Sequence, residues 1–323
     1  MRELNYVRAI NEALMEEMAR DERVIIIGED VGLSGGSFSA TRGLFQRFGA
    51  KRVIDTPMSE AAIAGVATGM AMNGLIPVAE IMFMDFVTLA MDAIVNSAAK
   101  MRYAFGGQFK VPIVFIMQGG GGLSAGPHHS QSLEAWFCHT PGLKVVYPST
   151  PYDVKGLLKS SIRDEDPVLF VEHKMLTVKS DVPEEDYTLP LGKAEVKRKG
   201  SDVTIVTWGQ LFYKVASSAE KLAAEGIDVE VIDLRTLVPL DLETILSSVN
   251  KTGRLVIAHE AVKFGGFGGE IAASVMEAAF DSLDAPIKRV GCAFTPIPWG
   301  PEVEAAVLPQ EDDIILAVKE IIE

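Results

Sequence analysis

The string Val53-Ile-Asp-Thr-Pro-Met-Ser-Glu60-Ala-Ala-Ile-Ala-Gly-Val-Ala-Thr-Gly69-Met-Ala-Met-Asn-Gly74 combines a short apolar strand, a proline turn and a helix. Ser59 suits the N-cap of that helix and Gly74 suits the position after its end. The small residues between them allow close packing on a flat surface, as in an α/β fold. Glu60 then lies in the first turn of a nearly uncharged helix, where most acids only complement the helix dipole.

Helical and apolar segments alternate on both sides of this string. Residues 5–20 have apolar side chains at helical spacing, and Arg23–Gly28 reads as a buried parallel strand. Further strands are predicted at 76–81, 112–118, 144–147 and 168–172, with helices near 86–103 and 151–163. We therefore expect an α/β fold, with a first domain at residues 1–185.

A second α/β domain is predicted at residues 186–323. The acidic, proline-bearing stretch 179–190 has no periodicity and marks the boundary. Beyond it, strands are predicted at 202–209, 229–234 and 254–259, and helices at 211–225, 241–250, 268–280 and 311–322.

Composition limits the possible partners. The chain has 323 residues, 48% of them apolar, and 44 acids against 30 bases give a net charge of −14. Nucleic-acid binding needs clustered Lys and Arg, so we expect no nucleic-acid partner. The sequence contains no run of about 18 apolar residues, the length that a membrane span needs. We expect a cytoplasmic protein. Cys138 and Cys292 are far apart and are interpreted as reduced, structural thiols.

The segment Gly119-Gly-Gly-Gly-Leu-Ser-Ala-Gly126 permits several interpretations. Its amides could cradle an anion, but Pro127 follows where a phosphate-binding helix should run. Ser124 lies in a Gly-x-Ser-x-Gly string, as does Ser34, yet neither has the exit helix of a hydrolase nucleophile. A tight glycine turn is the remaining interpretation.

Two further segments carry candidate residues. His128 and His129 are adjacent and lack a third ligand, so a proton carrier or a surface pair is more plausible than a metal site. Gly265-Gly-Phe-Gly-Gly269 opens a helix, and close backbone packing accounts for it better than a phosphate cradle.

Several strings spread over both predicted domains resemble the beta subunit of the thiamine-diphosphate-dependent first component of 2-oxo acid dehydrogenase complexes. They are Gly28-Glu-Asp-Val31, Arg52-Val-Ile-Asp-Thr-Pro-Met-Ser-Glu60, Asp92-Ala-Ile-Val-Asn-Ser-Ala-Ala-Lys100, His129-Ser-Gln, Pro141-Gly-Leu-Lys-Val-Val146, Asp202-Val-Thr-Ile-Val-Thr-Trp-Gly209 and Pro239-Leu-Asp241. The resemblance implies a transketolase-like pyrimidine-binding domain followed by a domain like the transketolase carboxy-terminal domain.

The resemblance also implies roles for particular residues. Glu60 would be catalytic and would hydrogen-bond the aminopyrimidine of thiamine diphosphate, with Phe86 against that ring. His129 would face the active site and assist proton handling or acyl transfer to lipoamide. Glu29 would belong to an acidic channel between paired active sites.

The same resemblance implies ions and partner chains. A structural potassium ion would be surrounded by Ile113, Ser161, Ile162, Asp164 and Asp166. This sequence lacks the Gly-Asp-Gly string and the Asn pair that hold the magnesium diphosphate in related enzymes. An alpha subunit is therefore expected to hold magnesium in an alpha2-beta2 heterotetramer, which would dock on a dihydrolipoyl acyltransferase core.

The implied function is oxidative decarboxylation of a 2-oxo acid, or cleavage of acetoin, with acyl transfer to lipoamide. Phe170-Val-Glu-His-Lys174 and Met82-Phe-Met-Asp-Phe86 look closer to the acetoin type, and Gly265–Gly269 to the pyruvate type. The substrate therefore stays open among pyruvate, branched-chain 2-oxo acids and acetoin. A split transketolase and a non-catalytic scaffolding subunit are the alternatives.

Overall fold

Two largely parallel sheets organise the chain, one in each of two structural units. The computed structural model describes residues 1–36 and 38–323. Unit 1 comprises Met1–Gly119 and Trp136–Leu191, and unit 2 comprises Gly120–Ala135 and Gly192–Glu323. The functional boundary between residues 185 and 186 stays a prediction.

Unit 1 contains the strands β1 to β8 and five α-helices among the described residues. Its strands are β1 (Arg2–Asn5), β2 (Val24–Gly28), β3 (Val53–Asp55), β4 (Ile76–Ile81), β5 (Val114–Gly119), β6 (Lys144–Val146), β7 (Val168–His173) and β8 (Lys179–Val182). Its helices are α1 (Tyr6–Arg20), α2 (Leu44–Phe48), α3 (Glu60–Met72), α4 (Ala99–Ala104) and α6 (Pro151–Ile162), while α5 (Glu134–Cys138) begins in unit 2 and ends in unit 1.

Six parallel strands of unit 1 lie in the order β6-β7-β5-β4-β2-β3, and β1 pairs antiparallel with β8. Every residue of β2, β5 and β7 is buried, as expected of strands covered by helices on both faces. The sheet places the carboxyl ends of β2, β3 and β4 side by side, because neighbouring parallel strands end at one edge.

Helix α1 is held on α6 by a buried ion network. The ammonium groups of Lys155 and Lys159 are fully buried and bind the Glu16 carboxylate at 2.8 and 2.5 Å. Lys155 also contacts Glu12, and Lys159 contacts Asp186. Removing one partner of such a network leaves a buried charge uncompensated, which is strongly destabilising.

The helical region predicted near 86–103 is present but irregular. A 3₁₀ helix runs from Met84 to Ala90, a π-helical segment from Asp92 to Ala98, and α4 continues to Ala104. Such departures from α geometry within a helix often mark functional sites.

Unit 2 contains the remaining strands and helices. Its strands are β9 (Glu195–Arg198), β10 (Val203–Thr207), β11 (Val229–Asp233), β12 (Thr236–Val238), β13 (Leu255–Val262) and β14 (Lys288–Cys292). Its helices are α7 (Leu211–Ala224), α8 (Leu242–Thr252), α9 (Gly268–Ala279), α10 (Pro301–Val307) and α11 (Glu311–Ile322).

The sheet of unit 2 has the order β14-β13-β10-β11-β9, and β9 is its antiparallel edge strand. The core is built from inward residues such as Ile205, Val231 and Val256 with Leu222 and Val318 from the covering helices. In the part of the chain described here, no helix is both long and apolar enough to span a bilayer.

Candidate functional site

Glu29 and Glu60 lie together at the carboxyl-end edge of the unit 1 sheet. Glu29 directly follows β2, and Glu60 is the first residue of α3, after β3 and its proline turn. Both side chains are only partly buried. Burial raises the pKa of Glu29, and the negative charges of Asp30 and Glu60 raise it further. The Glu60 carboxylate therefore lies close enough to Glu29 to affect the protonation of Glu29.

The start of α3 confirms the predicted helix and corrects one detail of it. Ser59 occupies the N-cap position, and Gly74 has a positive φ of 90° just past the last turn. The Ser59 side chain, however, makes no capping hydrogen bond. The Asp55 carboxylate, at the end of β3, accepts a 2.6 Å hydrogen bond from the Gly32 amide in the loop that follows β2.

Phe86 lies in a small aromatic cluster that follows β4. Its ring meets the Phe83 ring edge to face, with centroids 5.8 Å apart, and Phe83 meets Phe38 in the same way at 6.1 Å. The Lys174 ammonium lies 5.1 Å from the centre of the Phe83 ring. This cluster gives the edge of the unit 1 sheet a partly exposed aromatic surface beside β4.

A second group of polar residues was missed by the sequence analysis. The register pairs Gln118 on β5 with Glu172 on β7, and Ile116 with Glu80 on β4. Residues 116 and 118 share a face of the sheet, so Glu80, Gln118 and Glu172 share it as well. These three side chains line a cavity of about 10 Å³, which has room for about one water molecule.

Burial dominates the electrostatics of this group. It raises the pKa of Glu80 to about 7 and raises that of Glu172 well above its usual range, with a further contribution from the charge of Glu80. The Gln118 Nε2 group donates a long, 3.4 Å hydrogen bond to Glu172. Within residues 1–36 and 38–323, Gln118 Oε1 has no hydrogen-bond partner and would accept a bond from a protonated carboxyl group.

The signal for this group was visible in the sequence. Glu80, Gln118 and Glu172 each interrupt or end an otherwise apolar strand. A buried carboxyl group is expensive, so such an interruption indicates a structural or functional constraint. The strand order was needed to bring the three together.

The glycine-rich segment that precedes His129 belongs to unit 2, and its amides are already bonded. Gly121 N donates to Glu260 Oε1 at 2.7 Å, while Gly122 N and Ser124 N donate to the two Glu304 oxygens at 2.8 Å each. Two carboxylates therefore occupy the amides that an anion would use. The glycine-turn interpretation is confirmed over the phosphate cradle.

Ser124 is also unsuited to the nucleophile interpretation. Its hydroxyl donates to Glu304 Oε2 at 3.2 Å, and its backbone has a positive φ of 54°. The next α-helix, α5, begins only at Glu134, so the exit helix of a nucleophile elbow is missing. His129 N donates to the Gly126 carbonyl at 3.3 Å, and the His129 side chain is partly buried whereas His128 is exposed.

Two of the residues predicted to hold potassium, Asp164 and Asp166, pair with basic side chains. Lys144 Nζ binds both Asp164 oxygens at 2.6 and 2.7 Å, and Asp166 pairs with Arg102 at 2.5 Å.

Two of the predicted potassium carbonyls already accept backbone hydrogen bonds. The Ile113 carbonyl accepts from Val168 N at 2.9 Å, and the Ser161 carbonyl accepts from Asp164 N at 3.3 Å. No group of three or more His, Cys, Asp or Glu suited to a metal occurs among the described residues. Potassium at Ile113, Ser161, Ile162, Asp164 and Asp166 stays a prediction.

The glycines of Gly265–Gly269 serve close packing inside unit 2. A Cβ atom on Gly266 or Gly268 would approach the His259 ring to 2.7 or 2.8 Å. That ring stacks on Trp208, with centroids 5.1 Å apart. The packing interpretation of these glycines is therefore confirmed.

Cys138 and Cys292 are both free thiols, as the sequence analysis expects.

Comparisons with known proteins cover the whole chain. Residues 2–179 match the transketolase pyrimidine binding domain family, and residues 192–314 match the transketolase C-terminal domain family. The chain is 47% identical over 323 residues to the 2-oxoisovalerate dehydrogenase subunit beta of Bacillus subtilis (strain 168), covering 99% of each chain. It is 44% identical over 325 residues to the pyruvate dehydrogenase E1 component subunit beta of the same organism, covering 100% of both.

A solved structure shows the same fold. It is described as a split gene transketolase, inactive beta4 tetramer, and superimposes with a TM-score of 0.81 at 25% sequence identity. The match covers 99% of this chain and 98% of that chain. The predicted α/β fold with two transketolase-type domains is thereby confirmed.

Proposed function

Because this chain belongs to the family of beta subunits of the E1 component of 2-oxo acid dehydrogenases, we propose that it supplies the pyrimidine-binding half of a thiamine diphosphate site. The proposed reaction is oxidative decarboxylation of a 2-oxo acid, or cleavage of acetoin, with acyl transfer to lipoamide. The observation that carries the proposal is the placement of Glu60 beside Glu29 at the carboxyl-end edge of the unit 1 sheet.

The residues present fit one half of the cofactor. The aminopyrimidine needs a carboxyl group beside a ring nitrogen and an apolar surface, which Glu60 and Phe86 offer. The diphosphate and its magnesium need open amides or a cluster of oxygen ligands. The amides of Gly121–Ser124 are bonded to Glu260 and Glu304, and the described residues provide no such cluster. This asymmetry supports an alpha subunit that holds the diphosphate and magnesium.

Glu60 is the proposed catalytic acid. The bound cofactor supplies the carbanion chemistry, and the chain supplies orientation and proton control. Glu60 lies at the first position of α3, at the edge of the sheet, so its carboxyl group can share a proton with a weakly basic ring nitrogen. Burial and the charges of Asp30 and Glu60 raise the pKa of the neighbouring Glu29, which favours the protonated form of the Glu29 carboxyl group.

Three other residues have supporting roles in this proposal. Phe86 packs against the pyrimidine ring, and Glu29 passes protons toward a second active site. His129 handles the proton in acyl transfer to the lipoyl group, for which an imidazole is suited near neutral pH.

The proposed assembly and location follow from the same family. Two copies of this chain and two alpha subunits form an alpha2-beta2 heterotetramer that docks on a dihydrolipoyl acyltransferase core in the cytoplasm. The structural match to a split gene transketolase favours one second candidate, a subunit that moves ketol groups between sugars. A non-catalytic scaffolding subunit is the alternative of a different class.

The test uses this chain co-purified with its alpha subunit, thiamine diphosphate and magnesium. Turnover with a lipoyl acceptor is compared for pyruvate, branched-chain 2-oxo acids and acetoin, with each subunit alone as the control. We expect one of these substrates to be consumed by the complex and by neither subunit alone. Turnover of sugar phosphates instead would establish the transketolase candidate. If the cofactor-loaded complex is inactive on every substrate, the non-catalytic scaffolding subunit is the remaining candidate.

A further inference from the structure

The carboxylate of Glu304 is buried beneath the turn that leads to His129. Glu304 lies on α10 and is only 2% exposed. Its Oε1 atom accepts from Gly122 N at 2.8 Å, and its Oε2 atom accepts from Ser124 N at 2.8 Å and Ser124 Oγ at 3.2 Å. Hydrogen bonds to an ionised acceptor are stronger than those between neutral groups, so one side chain fixes two alternate amides of the turn.

The two residues of the turn whose amides Glu304 binds have a positive φ. Gly122 has a φ of 98° and Ser124 has a φ of 54°. The second value lies in the left-handed region, which side chains other than Gly, Asn and Asp adopt only at a cost. A carboxylate with two acceptor oxygens at the spacing of these amides compensates for that cost.

The chain between Ser124 and His129 is fixed from the same side. A Cβ atom on Gly126 would lie only 2.1 Å from the Trp299 Cε2 atom. The glycine therefore packs directly on the indole ring. Trp299 comes just before α10, which begins at Pro301. Gly126 then accepts the 3.3 Å hydrogen bond from His129 N. Glu304 and Trp299 therefore hold the chain from Gly122 to Gly126, which leads to His129.

We propose that Glu304 is a positioning residue for His129, holding the turn 121–126 so that the imidazole is set for acyl transfer to the lipoyl group. This proposal rests on the function proposed above. A displacement of about 1 Å at a reacting group can cost about 100-fold in rate. The loss of the Glu304 carboxylate should therefore resemble the loss of the His129 imidazole.

The main variant is Glu304→Gln, which keeps the shape but presents an NH₂ donor to one of the two amide donors. We expect lipoyl-dependent turnover of the assembled complex to fall about 10- to 100-fold, with thiamine diphosphate affinity unchanged. Turnover with an artificial electron acceptor, which bypasses the lipoyl group, should change much less. Glu302→Gln, an exposed acid on the same helix, is the matched control and should behave as wild type.

A double-mutant cycle separates positioning from general destabilisation. If Glu304 acts through His129, Glu304→Gln combined with His129→Ala should lose no more lipoyl-dependent turnover than His129→Ala alone. Multiplied losses would overturn the proposal. Ser124→Ala, which removes only the hydroxyl bond, should show a smaller loss of the same kind and serves if Glu304→Gln does not fold.

Hydrogen exchange of residues 120–130 in the complex separates two claims. One is that Glu304 holds the turn, and the other is that His129 acts in the proposed reaction. Glu304→Gln should speed exchange of the Gly122 and Ser124 amides whatever the reaction is. Unchanged exchange would overturn the role of Glu304 itself. Faster exchange together with a fully active His129→Ala variant would instead overturn the role of His129 in the proposed function.

Discussion

Three acids of unit 1 and Glu230 of unit 2 differ in how their negative charge is balanced. In unit 1, burial raises the pKa of Glu29, Glu80 and Glu172, and neighbouring acids add to two of these shifts. In unit 2, burial also works against the charge of Glu230, but hydrogen bonds from Lys251 and Ser248 hold its pKa below the usual value.

This difference distinguishes acids suited to proton exchange from acids that stabilise the fold. An acid satisfied by lysine, hydroxyl or amide donors, as in unit 2, stabilises one arrangement of the chain. Acids that burial and neighbouring acids push toward neutrality, as in unit 1, reduce stability at neutral pH and are typical of sites that exchange protons. The difference supports the proposed proton transfer at the edge of the unit 1 sheet and the proposed positioning role of Glu304 beneath the turn of unit 2.

Removing the ionisable group of Glu60 should give the largest effect. In the assembled complex, Glu60→Gln should lower turnover by about 100- to 10,000-fold, because positioned acid–base groups contribute rate factors of that size. The side chain is partly exposed, so the thermal midpoint should stay close to that of wild type. Steady-state turnover and calorimetry on the same preparation provide the two readouts.

Glu22→Gln is the matched control for this variant, since Glu22 is an exposed acid of the same unit just before β2. It should leave turnover unchanged. Full turnover of Glu60→Gln would show that Glu60 is not catalytic. The raised pKa values of the acids in unit 1 would then not mark a site of proton transfer.

Sequence patterns were most reliable where one periodic element is bounded by clear signals. The helix between Ser59 and Gly74, the strand Ile76–Ile81 and the helix Glu311–Ile322 were predicted with the observed limits. Five short strands were missed, namely β1, β8, β9, β12 and β14. Strands such as β14, Lys-Arg-Val-Gly-Cys, have no apolar run and form by pairing with a neighbour.

The candidate site was predicted only in part, for a related reason. Glu60, Glu29 and Phe86 came from strings that resemble a family, whereas composition and spacing alone gave Glu60 no chemistry. Gln118 and Glu172 are 54 residues apart, and Gly122 and Glu304 are 182 apart. Contacts over such separations depend on strand order and tertiary packing, which no local pattern specifies.

The buried acids of unit 1 should make its stability fall as pH rises. The pKa of Glu80 rises from 4.5 to about 7 on folding, so its contribution is complete below pH 4.5 and is lost as pH approaches 7. That shift corresponds to about 3 kcal/mol. Glu80→Gln should therefore match wild type near pH 4.5 and exceed it by up to that amount at pH 8.

Hydrogen exchange of the β4 and β5 amides measured from pH 5 to pH 9 checks this prediction locally. Glu243→Gln, an exposed acid of unit 2, is the control and should leave the slope unchanged. Parallel curves for wild type and Glu80→Gln would show that Glu80 is ionised in the folded protein at neutral pH.

His259 should give unit 2 the opposite response. Burial lowers its pKa from 6.5 to about 4, and the charge of Arg289 adds to the effect. Its contribution to stability is present above pH 6.5 and is lost as pH falls toward 4, by about 3 kcal/mol at most. Phenylalanine at this position keeps a ring on Trp208 but cannot take up a proton.

His259→Phe should accordingly flatten the acid limb of the stability curve of unit 2. The larger ring crowds Gly266 and Gly268, so the variant should be less stable at neutral pH, and the slope between pH 6.5 and pH 4 is the diagnostic quantity. Exchange of the β13 amides measures that slope. An unchanged slope would mean that His259 is protonated in the folded protein, contrary to the contrast between the two units.

The smallest effect is expected at a partly exposed ion pair of unit 1, Lys144 with Asp164. The two side chains are 27% and 18% exposed, so Lys144→Met should cost no more than about 1 kcal/mol. If the Asp164 loop also binds potassium, potassium chloride should raise the thermal midpoint above that in equal sodium chloride, and more in the variant because its carboxylates lack the ammonium group. Equal midpoints in the two salts for both proteins would rule out potassium there. The Lys144 ammonium would then be the cation that the Asp164 carboxylate binds.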